Sequence, residues 1–373
     1  MSQASTSAFG SDAVFGAGVA TRERLAYLHY FRGLTMLQIM IMHAGRGFML
    51  RGYDEPVAAS NPVFIANDIL FHNTTLYFTL ISGIFYSRSL SKQPVTDFYK
   101  GRLRNIAAPY VVMTVLFTTL VFFLSANGAP DGISIGSFAR TLGYNLLWGE
   151  AQVVYWYIPV VLLLYALSPV LHALLASRFR NLLLASAIIL PMLFSRTGTE
   201  VTLSTILYFT GAYIIGLYLG RDIEGRLTDV SRYAWLLGLL AVAATATLVV
   251  LNARDIDYWG PTSLRESVYY VQKLSLGLLL MLWVWRFSGG LPPGPARLLS
   301  LFGSYAFGLY FLHGFVFRRF IGFSADIASS PDSNWDLVLG GAITFLLGTA
   351  TCFAVIFVLR WVLGRYSRLV VGA

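Results

Sequence analysis

Charged side chains are scarce in this chain. They make up 12% of its 373 residues, against 56% that are hydrophobic, and that charged share is about half the usual one for a soluble domain. So much apolar surface has no place inside a water-soluble globule, so lipid is the natural solvent. Lysine is rarer still: Lys92, Lys100 and Lys273 are the only three, and the other 24 basic residues are arginines. Cysteine occurs once, as Cys352 in an apolar run, which excludes an intrachain disulfide. The chain has no HExxH, no paired-cysteine motif and no facing carboxylate–histidine pairs, so no metal is expected. A Walker A loop, a dinucleotide fingerprint and the G-x-S-x-G elbow of serine hydrolases are missing too.

What is present is a series of apolar stretches near the ~20 residues that span a bilayer as helix. They lie at roughly 27–48, 67–87, 106–125, 153–173, 181–196, 202–220, 233–251, 267–287, 300–320 and 338–363. The strict alternation of a membrane barrel is absent, which leaves helices as the way to satisfy backbone groups in lipid. The expected fold is therefore all-α, a polytopic membrane bundle of about ten transmembrane helices. Residues 22–373 form it, and a Ser-, Ala- and Gly-rich tail over 1–21 is expected to be disordered. That tail lacks the basic region and short apolar core of a signal peptide. The fifth stretch is short and runs into Pro191–Arg196, so a re-entrant segment is the other reading there. The loops are too short for a sizeable soluble domain. Residues 133–148 suit an amphipathic helix lying along one membrane interface.

The net charge of +9 is spread over many short loops, a pattern that fits the positive-inside rule better than nucleic-acid binding. With ten spans, one set of loops and both termini carry 16 basic residues and the opposite loops 8. The expected orientation therefore places both termini in the cytoplasm.

Ionisable groups inside apolar spans are costly and by default mark a site. The first span holds His29, Arg32, Gln38, His43 and Arg46. Arg32 and His43 are 11 residues apart, which returns to within about 20° of the same face some 16 Å along the axis. His29 lies near this stripe, one turn from Arg32. Each residue alone has a plain reading: Arg32 as an anchor reaching the lipid headgroups, His43 as a histidine bonded to a neighbouring helix. Their shared face favours function. His72 opens the second span, and Ser82–Gly83 in the same span is a small pair at which helices can approach closely. Trp156 and Tyr157 start the fourth span, where an interfacial aromatic belt is the alternative. His313 lies in the ninth. Lys273 in the eighth needs a partner, and Glu266, two turns away on the same face, is the candidate.

With these residues in view, the chain resembles the acyltransferase type 3 family of bacterial integral membrane O-acyltransferases. Arg32-Gly33-Leu34 through His43 resembles the family's opening Arg-x10-His helix, and His72 through Ser82-Gly83 its second motif. The basic segment Phe98 to Arg104 leading to Pro109-Tyr110, the pair Trp156-Tyr157, and Ser304-Tyr305 to Tyr310 and His313 follow in the family's order. There are departures. The family's proline after His72 is missing, where Asn73-Thr74 stand, Arg102 and Arg104 are two apart instead of three, and Val154 replaces a frequent histidine.

The resemblance implies transfer of an acyl group, often acetyl or succinyl, from a cytoplasmic acyl-CoA to a hydroxyl of a glycan, lipid-linked sugar or small metabolite. Acyl-CoA would be a co-substrate, and no permanently bound cofactor is expected. The setting would be the bacterial inner membrane. In that reading Arg32, Arg102 and Arg104 hold the donor phosphates, and His43 takes the acceptor proton, with Arg32 beside it in the catalytic stripe. His72, Ser82, Trp156, Tyr157 and His313 orient the substrates. A transporter or flippase for an amphiphile or polysaccharide precursor, using the same polar residues as a path, is the alternative. A purely structural subunit would not explain Arg32 and His43 in lipid.

Overall fold

The computed structural model describes residues 26–90, 94–125, 134–198, 200–259 and 262–372; the expected tail over 1–21 lies outside them. Among the described residues the regular structure is helical apart from one hairpin of two-residue strands, Tyr258–Trp259 against Thr262–Ser263. In chain order the helices are α1 (Ala26–Arg51), α2 (Pro62–Phe71), α3 (Thr75–Leu90), α4 (Val95–Arg102), α5 (Ala108–Ser125) and α6 (Ile135–Trp148). There follow α7 (Tyr157–Ala176), α8 (Arg180–Leu193), α9 (Leu203–Gly220), α10 (Ile223–Arg232), α11 (Ala234–Ala253) and α12 (Leu264–Phe287). The last are α13 (Pro293–Ser304), α14 (Ala306–Ile327), α15 (Asn334–Leu363) and the short α16 (Ser367–Val371).

Large apolar side chains cover the outside. Trp361 is 86% exposed, Val242 68% and Leu182 68%, a surface that a soluble monomer does not present. The outward face is that of a membrane protein.

The expected count of ten spans is not reached by length and apolarity. Six of the described helical stretches pass on both, and a bent pair would make a seventh. The reasons are specific. α1 is 26 residues long, but its own histidines, arginines and glutamine dilute its apolarity. The expected second span is broken at His72–Thr74 into α2 and α3, with Asn73 in the left-handed region at φ 59°. α8 has 14 residues, about 21 Å of helix. The expected ninth span bends by 80° between Ser304 and Ala306. A π-helical turn, Leu103–Ala107, joins α4 to α5 directly after Arg102; such turns disturb the regular ladder and recur at functional sites.

Two close pairings set the site. α3 and α9 run parallel: Asn73 meets Tyr208, Ser87 Oγ donates to the Leu217 carbonyl at 2.7 Å, and Gly83 faces Tyr213–Leu217 while Gly220 faces Ile84. Glycine at 83 and 216 lets the two backbones touch, the usual device where no hydrophobic force drives helices together in lipid. α1 and α14 also run parallel, with Arg32 beside Phe307, His43 beside His313 and Tyr53 bonded to the Ala328 carbonyl. α13 crosses the start of α1, where Gly33 abuts the Leu299 carbonyl and Gly303 the His29 backbone. Glycine follows Arg32 because a side chain there would collide with α13.

The expected amphipathic helix over 133–148 forms as α6. Ser134 and Ser137 cap it reciprocally, Gly149 ends it at φ 71°, and none of its residues is buried.

Candidate active site

α1 contributes a cation and an imidazole on one face, as its periodicity implies. The Arg32 guanidinium lies over the Phe307 ring at 5.0 Å and pairs with no carboxylate among the described residues. Three turns further, the His43 ring stands 5.1 Å from that of His313. His43 makes no hydrogen bond among the described residues. His313 is fully buried. Its Nδ1 contacts the Leu309 carbonyl at 2.9 Å, and a carbonyl only accepts, so Nδ1 carries the proton. Nε2 is then the lone-pair nitrogen, and it is buried without a partner. An imidazole held by one nitrogen leaves the other free to accept a hydrogen bond or a proton.

A narrow cleft opens between these elements, lined by Phe78, Ser82, Tyr157, Tyr165, Phe307 and Tyr310 among others. Tyr310 connects it to the imidazoles, with its ring 5.9 Å from that of His313, and its hydroxyl donates to the Val154 carbonyl. Ser82 Oγ accepts from the Tyr165 hydroxyl at 3.2 Å, and Thr79 donates to the Tyr157 hydroxyl at 3.0 Å. The Ser82–Gly83 pair thus divides its labour: Gly83 packs against α9 and Ser82 faces the cleft. Arg102 closes the cleft's other flank. Its guanidinium lies 4.7 Å from the Phe98 ring and 5.2 Å from that of Tyr165, and its Nε has no partner. Arg32 and Arg102 therefore stand beside one cleft without countercharges among the described residues, stacked on rings that line or flank it. Arg104 does not join them; it is exposed, because two residues of helix turn it away.

Trp156 and Tyr157 are buried, at 8% and 5% exposure, which removes the interfacial-belt reading for both. They diverge in use. Tyr157 lines the cleft, while Trp156 packs on Phe209 and carries the Arg196 guanidinium 4.5 Å over its ring.

His72 lies apart from the cleft, in a second polar cluster. Its Nε2 is 2.6 Å from Glu266 Oε1. The Asn73 amide donates to Glu266 Oε2 at 2.5 Å and to the Tyr208 hydroxyl at 3.0 Å. The expected Lys273–Glu266 pairing does not occur. Lys273 instead donates to the Ile69 and Leu70 carbonyls at 2.7 and 2.9 Å. Those are last-turn carbonyls of α2, which the helix break leaves open, and a cation suits that end of a helix. The two clusters are joined by Arg46 and Asp68, whose side chains meet at 2.6 Å. Arg46 is one turn beyond His43 and Asp68 one turn before His72.

Sequence reasoning missed Glu266 as the partner of His72, Phe307 and Tyr165 as the stacking rings, and the Arg46–Asp68 bridge. Asn73 was the available signal for the helix break, since asparagine tolerates the left-handed region better than other non-glycine residues.

Comparison with known families is decisive: the family of acyltransferase type 3 domains, described as an acyltransferase domain, matches residues 25–361. The chain belongs to the acyltransferase type 3 family. It is an enzyme of acyl transfer, acting on groups other than aminoacyl groups. No curated protein matches the chain, and no solved structure does. The matched stretch contains α1 to α14 and most of α15, so the cleft, the imidazole pair and the His72 cluster all fall within the acyltransferase domain.

Proposed function

We propose that the protein moves an acyl group, acetyl or succinyl, from acyl-CoA to a hydroxyl of a glycan, lipid-linked sugar or small metabolite. The observation that carries this reading is the arrangement of two arginines, with no carboxylate partner among the described residues, at one end of a tyrosine-lined cleft and two imidazoles beyond it. Guanidinium forks bind phosphate, so Arg32 and Arg102 suit the CoA head, and the rings that line the narrow cleft beside them would flank its arm. His43 takes the proton of the acceptor hydroxyl. The hydroxyl oxygen attacks the thioester carbonyl, the C–S bond breaks, and the proton passes from His43 to the departing thiolate. His313 supports His43 across the ring contact, and Ser82, Tyr157 and Tyr310 line the donor's path. His72 orients the acceptor. The arginine bias among the loops supports an orientation with both termini, and the Arg32 end of the bundle, on the cytoplasmic side of a bacterial inner membrane.

The test uses purified protein in liposomes with radiolabelled acetyl-CoA and a hydroxylated acceptor. Wild type releases free CoA thiol as label passes to the acceptor, and His43→Ala loses at least about a hundredfold in rate while melting as the wild type does. A His43→Ala protein that is folded and turns over at the wild-type rate would remove His43 from the mechanism. Movement of the acceptor across the liposome wall without thiol release would favour a transporter.

A further inference from the structure

The His72 cluster has an internal logic that the cleft does not require. Glu266 sits in the first turn of α12 and reaches across 194 positions of sequence to His72 Nε2. A carboxylate only accepts, so the ring proton facing it resides on Nε2, and in the neutral ring the lone pair resides on Nδ1. That Nδ1 is buried and has no partner. The same carboxylate fixes the Asn73 amide: its nitrogen faces Glu266 Oε2, so its oxygen points elsewhere, and that Oδ1 is also buried and unpartnered. One carboxylate therefore orients two neighbouring side chains so that each offers a bare acceptor atom. Leaving such atoms unpaired is costly unless a ligand or water completes them. The backbone is set for this too, since Asn73 holds φ 59° in the helix break and Lys273 ties down the carbonyls just before it.

We propose that Glu266 is a positioning residue that fixes the tautomer of His72, so that an unprotonated Nδ1 accepts a hydrogen bond from a hydroxyl of the acyl acceptor. This rests on the acyl-transfer reading for the identity of the ligand; the tautomer stands on the geometry alone. Glu266→Gln keeps the side chain's volume but can turn a donor toward Nε2. The ring proton then moves to Nδ1, which becomes a donor where an acceptor is needed.

Two measurements decide it. With ¹⁵N-labelled histidine, and the His72 signal identified by its loss in His72→Asn, ring nitrogen shifts show Nε2 protonated in the wild type and Nδ1 protonated in Glu266→Gln. In liposomes with acetyl-CoA and an alkyl glucoside as acceptor, Glu266→Gln raises the acceptor KM about tenfold, the loss of one hydrogen bond. The donor KM is unchanged, and Glu266→Asp restores part of the acceptor KM. A wild-type ring protonated on Nδ1, or a tautomer insensitive to Glu266→Gln, overturns the positioning role. A reversed tautomer with an unmoved acceptor KM, or equal losses for donor and acceptor, overturns the acceptor contact. If the wild type transfers no acetyl group, the donor reading fails instead, and the nitrogen shifts still decide the tautomer.

Discussion

Gly83 offers a quantitative test of how the α3–α9 packing supports the cleft. A Cβ at this position would stand 2.8 Å from the Leu217 backbone nitrogen and nearer still to the Tyr213 carbonyl, where ordinary contact begins at 3.4 Å. The shortfall against Leu217 is about 0.6 Å. Both obstacles are backbone atoms, so no side chain can swing aside, and the two helices must part. Forcing a methyl into such a contact costs about 1–3 kcal/mol. The displacement also reaches the neighbouring residue. The Tyr165–Ser82 bond is 3.2 Å, and a 0.6 Å shift along it would leave about 3.8 Å, beyond hydrogen-bond range. Since sub-ångström placement matters at reacting centres, turnover should fall on the order of tenfold to a hundredfold. The assay is thermal unfolding in detergent together with CoA-thiol release in liposomes. Gly322→Ala is the control: nothing lies within 4 Å of its would-be Cβ in α14, and alanine is the better helix former. It should melt at or slightly above wild type with full activity. A Gly83→Ala protein that melts and turns over as wild type does would refute the close-packing argument and its link to Ser82.

Two further outcomes follow from the same geometry. Arg32→Lys keeps the charge but loses the planar stack over Phe307 and the bidentate fork; the donor KM should rise on the order of tenfold with the melting temperature unchanged, and an unaltered donor KM would count against Arg32 as a donor contact. Lys273→Met strips the Ile69 and Leu70 carbonyls of their donor, which should cost about 1–3 kcal/mol, read as a lower unfolding midpoint; unchanged stability would show that the helix break holds itself.

Much of the site was legible in one helix. Arg32 and His43 share a face because helix geometry alone fixes 11 residues at three turns, and the structure places their partners, Phe307 and His313, along α14 beside that stripe. The same arithmetic misled at α12. Glu266 and Lys273 do share a face, yet each is drawn outward by a neighbour: Glu266 by His72 and Asn73, Lys273 by the open carbonyls of α2. The pattern within a helix says which side chains look the same way, not what they look at. The breaks were half legible. Asn73 and the glycine-rich approach of α13 to α1 are local signals, but the 80° bend at Ser304–Ala306 depends on that crossing and on nothing in the hydropathy of residues 300–320.

The sequence by itself determined the solvent, the helical class and the family, since a low charged fraction and long apolar stretches leave few other solutions in lipid, and the ordered motifs run from residue 32 to 313. Tertiary structure decided the pairs: His43 with His313, His72 with Glu266, Arg46 with Asp68, and Arg102 over Tyr165. These contacts join residues 22 to 270 positions apart. They depend on the relative depth, rotation and direction of packed helices, which no local period encodes, and on close approaches such as Gly33 against α13 and Gly83 against α9 that fix those quantities.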